Sequence, residues 1–121
     1  MKKDNVILDK TFAFAVRIVR LEQYLRKRKV PINLSTQILK SGTSIGANME
    51  EAIGARSKAE FISCIGISYR EARETNYWLK LLHECGYIPE RLFESFKKDC
   101  EEILRIITSI QKSAKAKKNS N

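Results

Sequence analysis

Apolar residues recur along this chain at three- and four-residue intervals, the period of a helix rather than of a strand. Phe14, Ile18, Leu21 and Leu25 fall on one face of a first helix over about 9–29, with Phe12, Val16 and Val19 as a second stripe beside it. Pro31 breaks that run, and Asn33 or Ser35 is placed to cap the next. A second helix over about 34–53 carries Leu34, Ile38, Ser41, Ile45, Asn48 and Ala52 on one stripe, and Gly54 marks its end. Ser57 and Glu60 form a capping box that opens a third helix over about 57–85. There Phe61, Ile65, Ser68, Ala72, Thr75, Leu79 and Leu82 keep heptad spacing. Cys85-Gly86 stops it, and Pro89 introduces a fourth helix over about 90–113, apolar at Phe93, Phe96, Cys100, Ile103, Ile107 and Ile110.

Four amphipathic segments joined by short connections predict an all-α, antiparallel up-down four-helix bundle, one domain over residues 1–121. The weakest stretch for a helix is Ser41-Gly42-Thr43-Ser44-Ile45-Gly46, since each interior glycine costs about 1 kcal/mol relative to alanine. The apolar period resumes in register at Ile45 and Met49, so the helix is read as continuous. Gly42 and Gly46, four apart, make a smooth strip over which another helix can pack closely. Asn48 and Ser41 share a stripe from which they can hydrogen-bond Arg or Glu of the third helix and fix register. Tyr77, Trp78 and the extra stripe of the first helix exceed what so small a bundle can hide, which predicts self-association.

Charge adds a direction. The 121 residues hold 23 basic and 14 acidic side chains, a net +9. From Lys10 to Lys29 there are seven basic residues against Glu22 alone, and the segment from Lys112, expected to be a frayed or disordered tail, adds Lys115, Lys117 and Lys118 without an acid. Arg17, Tyr24 and Arg28 line up on one face of the first helix, with Arg20 and Lys27 beside them. Cations interleaved with an aromatic suit phosphate contact plus base stacking. These residues and the three tail lysines are the candidate nucleic-acid site, RNA or DNA. An ordinary solvated face and an anionic membrane surface are the competing readings. No apolar run approaches the about 18–20 residues that span a bilayer, and Val6-Ile7-Leu8 is too short for a signal-peptide core, so a cytoplasmic protein is expected.

Chemistry is scarce. His83 is the only histidine, and its place near the end of the third helix suits the helix dipole. It has no partners for a zinc or di-iron site. Cys64, Cys85 and Cys100 form no CxxC pair and read as reduced core thiols. Glu50-Glu51 and Glu71 with Glu74 could hold magnesium, but the basic neighbours in the third helix favour ion pairing instead. No catalytic residue, metal or cofactor is expected, and the chain is read as a binding protein rather than an enzyme.

The segment Ser41-Gly42-Thr43-Ser44-Ile45-Gly46-Ala47-Asn48-Met49-Glu50-Glu51-Ala52, followed by Glu71-Ala72-Arg73-Glu74-Thr75 and Tyr77-Trp78-Leu79, resembles the four-helix-bundle proteins encoded in intervening sequences of bacterial 23S ribosomal RNA genes. The similarity covers about Phe12 to Ile110. It implies a left-handed up-down bundle and a homopentamer, and brings no established catalytic residue. Asn76 stands where the family pattern suggests a second acid. The chain is also distantly similar to the accessory variability protein of diversity-generating retroelements, a basic pentameric bundle that binds nucleic acid and a reverse transcriptase. The leading expectation is an oligomeric protein that binds structured RNA. The rival is a protein-protein adaptor or structural ring built on Gly42, Gly46, Asn48, Tyr77 and Trp78.

Overall fold

Four helices account for nearly all of the chain: α1 (Lys2–Lys27), α2 (Ile32–Ile53), α3 (Lys58–Glu84) and α4 (Glu90–Asn119). The computed structural model describes the backbone of residues 2–119 and the side chains of residues 6–116. Both outer helices are longer than the apolar period alone suggests. Ile7 is fully buried and Leu8 packs against the core, so α1 begins at Lys2 rather than near Asp9. The lysine-rich segment beyond Lys112, expected to be a frayed or disordered tail, instead continues α4 to Asn119. Alanine and lysine are good helix formers, and extending an existing helix gains one hydrogen bond per residue fixed.

The helix ends show which punctuation is used. Pro31 starts α2 with no side-chain cap, and Ser35 Oγ instead donates back to the Ile32 carbonyl at 3.1 Å, so neither Asn33 nor Ser35 caps. Ser57 does cap α3, its Oγ accepting from the Glu60 N–H at 3.1 Å, but the Glu60 carboxylate accepts from Arg56 N–H at 3.4 Å rather than completing the box. The α3–α4 turn closes on Gly86 at φ 79°, with Gly86 N–H on His83 O and Tyr87 N–H on Leu82 O. The α1–α2 turn makes the same closure with Lys29 at φ 60°, its N–H on Arg26 O and that of Val30 on Leu25 O.

Cross-helix pairings define the topology. Thr11 lies against Gly46 and Ile18 against Gly42; Ser41 bonds Thr75 and the Ile45 carbonyl accepts from Ser68. Cys100 Sγ donates to Ala72 O, and His83 stacks on Phe93. Lys10 pairs with Glu102 and Arg17 with Asp99. In every pair, numbers that rise on one helix fall on the other, so neighbours are antiparallel and α4 returns beside α1. No strand occurs among the described residues.

The seams fill one core. Phe14, Ile18, Leu25, Ile38, Ile45, Met49, Ile65, Leu79, Leu82, Ile103 and Ile107 are all at most 2% exposed. Ser41 meets the Thr75 hydroxyl at 3.0 Å rather than Arg or Glu, and Asn48 turns back to the Ser44 carbonyl at 2.8 Å within its own helix. A short amide side chain beside a free i−4 carbonyl satisfies itself locally before it reaches across a seam. Of the three thiols read as core residues, only Cys100 is fully buried; Cys64 is half-buried and Cys85 caps α3 in solvent. Burial, reinforced by Glu101 and Asp99, pushes the Cys100 thiol up to about 12 and leaves it a protonated core group.

A Cβ added at Gly42 would lie 2.7–2.9 Å from three side-chain atoms of Ile18, whereas nothing lies within 4 Å of one added at Gly66. The same substitution should therefore have opposite signs at the two sites. In urea denaturation, Gly66→Ala is expected to gain up to about 1 kcal/mol from helix propensity. Gly42→Ala should lose about 1–3 kcal/mol to overpacking.

Candidate nucleic-acid interface

The second half of α1 presents its charge in an ordered way. Its sole acid, Glu22, is buried and accepts from Arg26 at 2.6 Å, one turn along the helix. Among the described residues no carboxylate pairs with Arg20, Lys27 or Arg28, all of which are exposed. The Arg28 guanidinium lies 4.9 Å above the Tyr24 ring, a cation–π contact that holds both side chains on the surface.

Arg17 is different. Its Nη1 donates to Asp99 Oδ2 at 2.6 Å, its Nη2 to Ser95 Oγ at 2.9 Å, and its guanidinium lies 4.0 Å above the Phe96 ring. The planar fork and flat face are used together, joining α1 to α4. With Arg20, Tyr24, Leu92 and Phe96 it rims an open cleft of about 250 Å³ between these helices. Arg17, Arg20 and Tyr24 are thus together, Arg28 adjoins through Tyr24, and Lys27, two turns after Arg20 on the same face, also borders a shallow depression with Gln23 and Arg26.

Of the candidate tail lysines, Lys115 is not part of this patch. Because Lys10 faces Glu102, α4 beyond that point runs toward the start of α1, away from Arg28. Lys115 is exposed at that opposite end, and the side chains of Lys117 and Lys118 lie outside the described residues. Gly42 and Gly46 face α1 of the same chain. Tyr77 is 56% exposed and meets Trp78 edge-on at 5.0 Å, while Trp78 Nε1 donates to Glu74 at 3.1 Å.

A second basic surface escaped the reading of the sequence. Arg73 on α3 and Arg105 and Lys112 on α4 line an open groove of about 550 Å³ with Tyr69, Thr108 and Ser113. The available signal was the seven-residue spacing of Arg105 and Lys112 off the apolar seam; their meeting with Arg73 depends on helix packing. The ion pairs expected within α3 do not form: Arg73 donates to the Tyr69 hydroxyl and Glu74 accepts from Trp78. Among the described residues no cluster of three His, Cys, Asp or Glu could hold a metal, and no helix is long and apolar enough to cross a membrane. His83 Nε2 lies 2.8 Å from Glu90 while its ring stacks on Phe93 at 4.3 Å, which ties the α3–α4 turn together.

These features define a basic, all-α four-helix bundle in which no catalytic constellation is visible among the described residues. The chain belongs to the 23S rRNA-intervening sequence protein family, whose model matches residues 3–109. It is similar to a crystal structure of a protein of unknown function from the S23 ribosomal protein family of Bacteroides thetaiotaomicron VPI-5482. The two are 48% identical, with a TM-score of 0.89, over 91% of this chain and 98% of that one. No curated protein matches.

Two expectations follow from this geometry. Arg17→Ala should lower stability by about 1 kcal/mol in thermal or urea unfolding, a modest figure because both partners of its ion pair are partly exposed. The Glu71 carboxyl is raised above the usual carboxylate range, first by burial and then by Glu74, against the opposing Lys40 and Arg70. A folded state that holds this proton more tightly than the unfolded chain loses stability as pH rises through the raised pKa. Glu71→Gln should therefore be more stable than the parent at neutral pH. That gain should vanish as pH falls below the ordinary carboxylate range, measured as the urea midpoint against pH.

Proposed function

We propose that this protein is a non-enzymatic, homo-oligomeric nucleic-acid-binding protein that recognises structured RNA through the outer face of α1. The observation that carries the reading is the disposition of charge. With Glu22 buried against Arg26, the exposed cations Arg20, Lys27 and Arg28 stand beside Tyr24 with no carboxylate pairing them among the described residues. Such a surface supplies phosphate contacts and an aromatic for stacking, without a rigid base-reading element. Phe12, 72% exposed, and Tyr77 favour association of several copies, a pentamer being the form the sequence resemblance implies. Repeating one weak basic face around a ring, with Lys115 at its other edge, raises avidity without any new contact.

The same exposed Phe12 and Tyr77 support a second reading, a protein-protein adaptor or structural ring with no nucleic-acid role. Binding of nuclease-treated protein to a labelled RNA hairpin and to a DNA duplex across a salt series separates the two. The triple variant Arg20→Glu, Lys27→Glu, Arg28→Glu should abolish hairpin binding while helicity by circular dichroism and mass by light scattering stay unchanged. Arg17 is kept, because its loss would also disturb the α1–α4 seam. Hairpin binding that survives the triple reversal would sink the α1 assignment. No binding by the parent at physiological salt would leave the adaptor reading in front.

A further inference from the structure

The groove between α3 and α4 has a chemistry of its own. Arg73, Arg105 and Lys112 converge on it from two helices, and Thr108 and Ser113 add hydroxyl donors along the α4 wall. The Tyr69 hydroxyl accepts from Arg73 Nη1 at 3.3 Å and steadies that guanidinium without neutralising it. None of the residues lining the groove is acidic, and among the described residues no carboxylate pairs with any of its three cations. The nearest acids along the two helices are otherwise placed. Glu74 accepts from Trp78, Glu102 pairs with Lys10, and Glu101, one turn before Arg105, makes no ion pair with it. Three like charges brought together on a folded surface repel one another, so an anion that satisfies all three is favoured well beyond one meeting a single lysine.

We infer that this groove is a phosphate-binding site, separate from the α1 face. The α1 patch opens between α1 and α4, whereas the groove lies on the other flank of α4, against α3. Two arginine forks, an ammonium and hydroxyls are the donor set that phosphate oxygens take, the forks giving paired hydrogen bonds and the lysine a point charge. At about 550 Å³ the groove falls within the about 300–1,000 Å³ typical of ligand sites, roomy enough for a phosphate carrying an ester substituent. It is open along its length, which suits a phosphodiester strand passing through as well as a free phosphate ester. The strand as source rests on the nucleic-acid reading above, and the site itself does not.

The test uses the full chain with two probes, inorganic phosphate and a single-stranded oligouridylate, followed by amide chemical shifts and by fluorescence anisotropy. The variant is Arg73→Gln, Arg105→Gln, Lys112→Gln, with melting by circular dichroism as the fold control. A charge-keeping partner, Arg73→Lys with Arg105→Lys, separates lost charge from lost packing. If the groove seats a strand, oligouridylate shifts the amides of α4 from Arg105 onward. The Gln variant then binds at least about tenfold more weakly, with a salt slope shallower by about two, since each single-strand phosphate contact contributes about 0.7. The Lys variant retains most of the affinity. If the parent ignores oligouridylate but phosphate shifts the same amides, and the Gln variant does not respond, a strand is not the ligand of the groove, and the α1 reading is decided by the hairpin titration alone. The groove then stands as a site for a free phosphate ester. Groove amides silent to both probes, or a Gln variant that binds both like the parent, would overturn the proposal whatever α1 does.

Discussion

The close approach of α1 to α2 over Gly42 and Gly46 sets the cross-section of the bundle. Ile18 occupies the space a side chain at position 42 would need, and the Thr11 backbone comes within 3.3 Å of where a Cβ at position 46 would sit. The tightness carries on into the α2–α3 seam, where the contacts are small and polar: Ser41 to Thr75, Ser68 to the Ile45 carbonyl, with Ala72 beyond. Buried hydroxyls that satisfy one another let backbones approach without the penalty of a lone polar group. Bulk is placed elsewhere. Phe14 meets Phe96 edge to face at 6.0 Å, so the α1–α4 seam is filled by rings and spanned at its edge by Arg17.

That division also sorts the charges. Asp99 and Glu102 are drawn to the α1–α4 seam by Arg17 and Lys10, Glu22 lies under Arg26, and Glu90 meets His83 at the turn. Each of these pairs places an acid against a neighbour within the chain. Cations outnumber acids 23 to 14, so the surplus is left to the outer surfaces, on α1 and in the α3–α4 groove. The net charge therefore has a geography: paired charges sit at the helix seams and turns, and the unpaired cations of α1 and of the α3–α4 groove face outward.

How much of this could be read from the sequence differs by level. The four apolar seams were legible because a 3.6-residue period repeats unbroken at Phe14-Ile18-Leu21-Leu25 and at Phe93-Phe96-Cys100-Ile103. The continuity of α2 through two glycines was legible for the same reason. Arg17 was not separable from Arg20, since spacing along one helix cannot say which cation finds Asp99 eighty-two positions away. The α3–α4 groove needed two helices brought together before its three cations became neighbours. Lys115 was grouped with the α1 cations on charge alone, since only the antiparallel pairing of α1 with α4 places the two at opposite ends.

The path of the chain around the bundle carries a kinetic meaning. Three of the four seams join consecutive helices across short turns and cost little loop-closure entropy. The fourth brings together residues 82 positions apart, Arg17 and Asp99. Helical hairpins with local contacts cost the least entropy to close, so the topology favours the three sequential seams forming before the α1–α4 seam. Transient opening of the native state should retrace that order from its end. Amide exchange would then be quickest along the outer edges of α1 and α4, and slowest behind the glycine strip of α2.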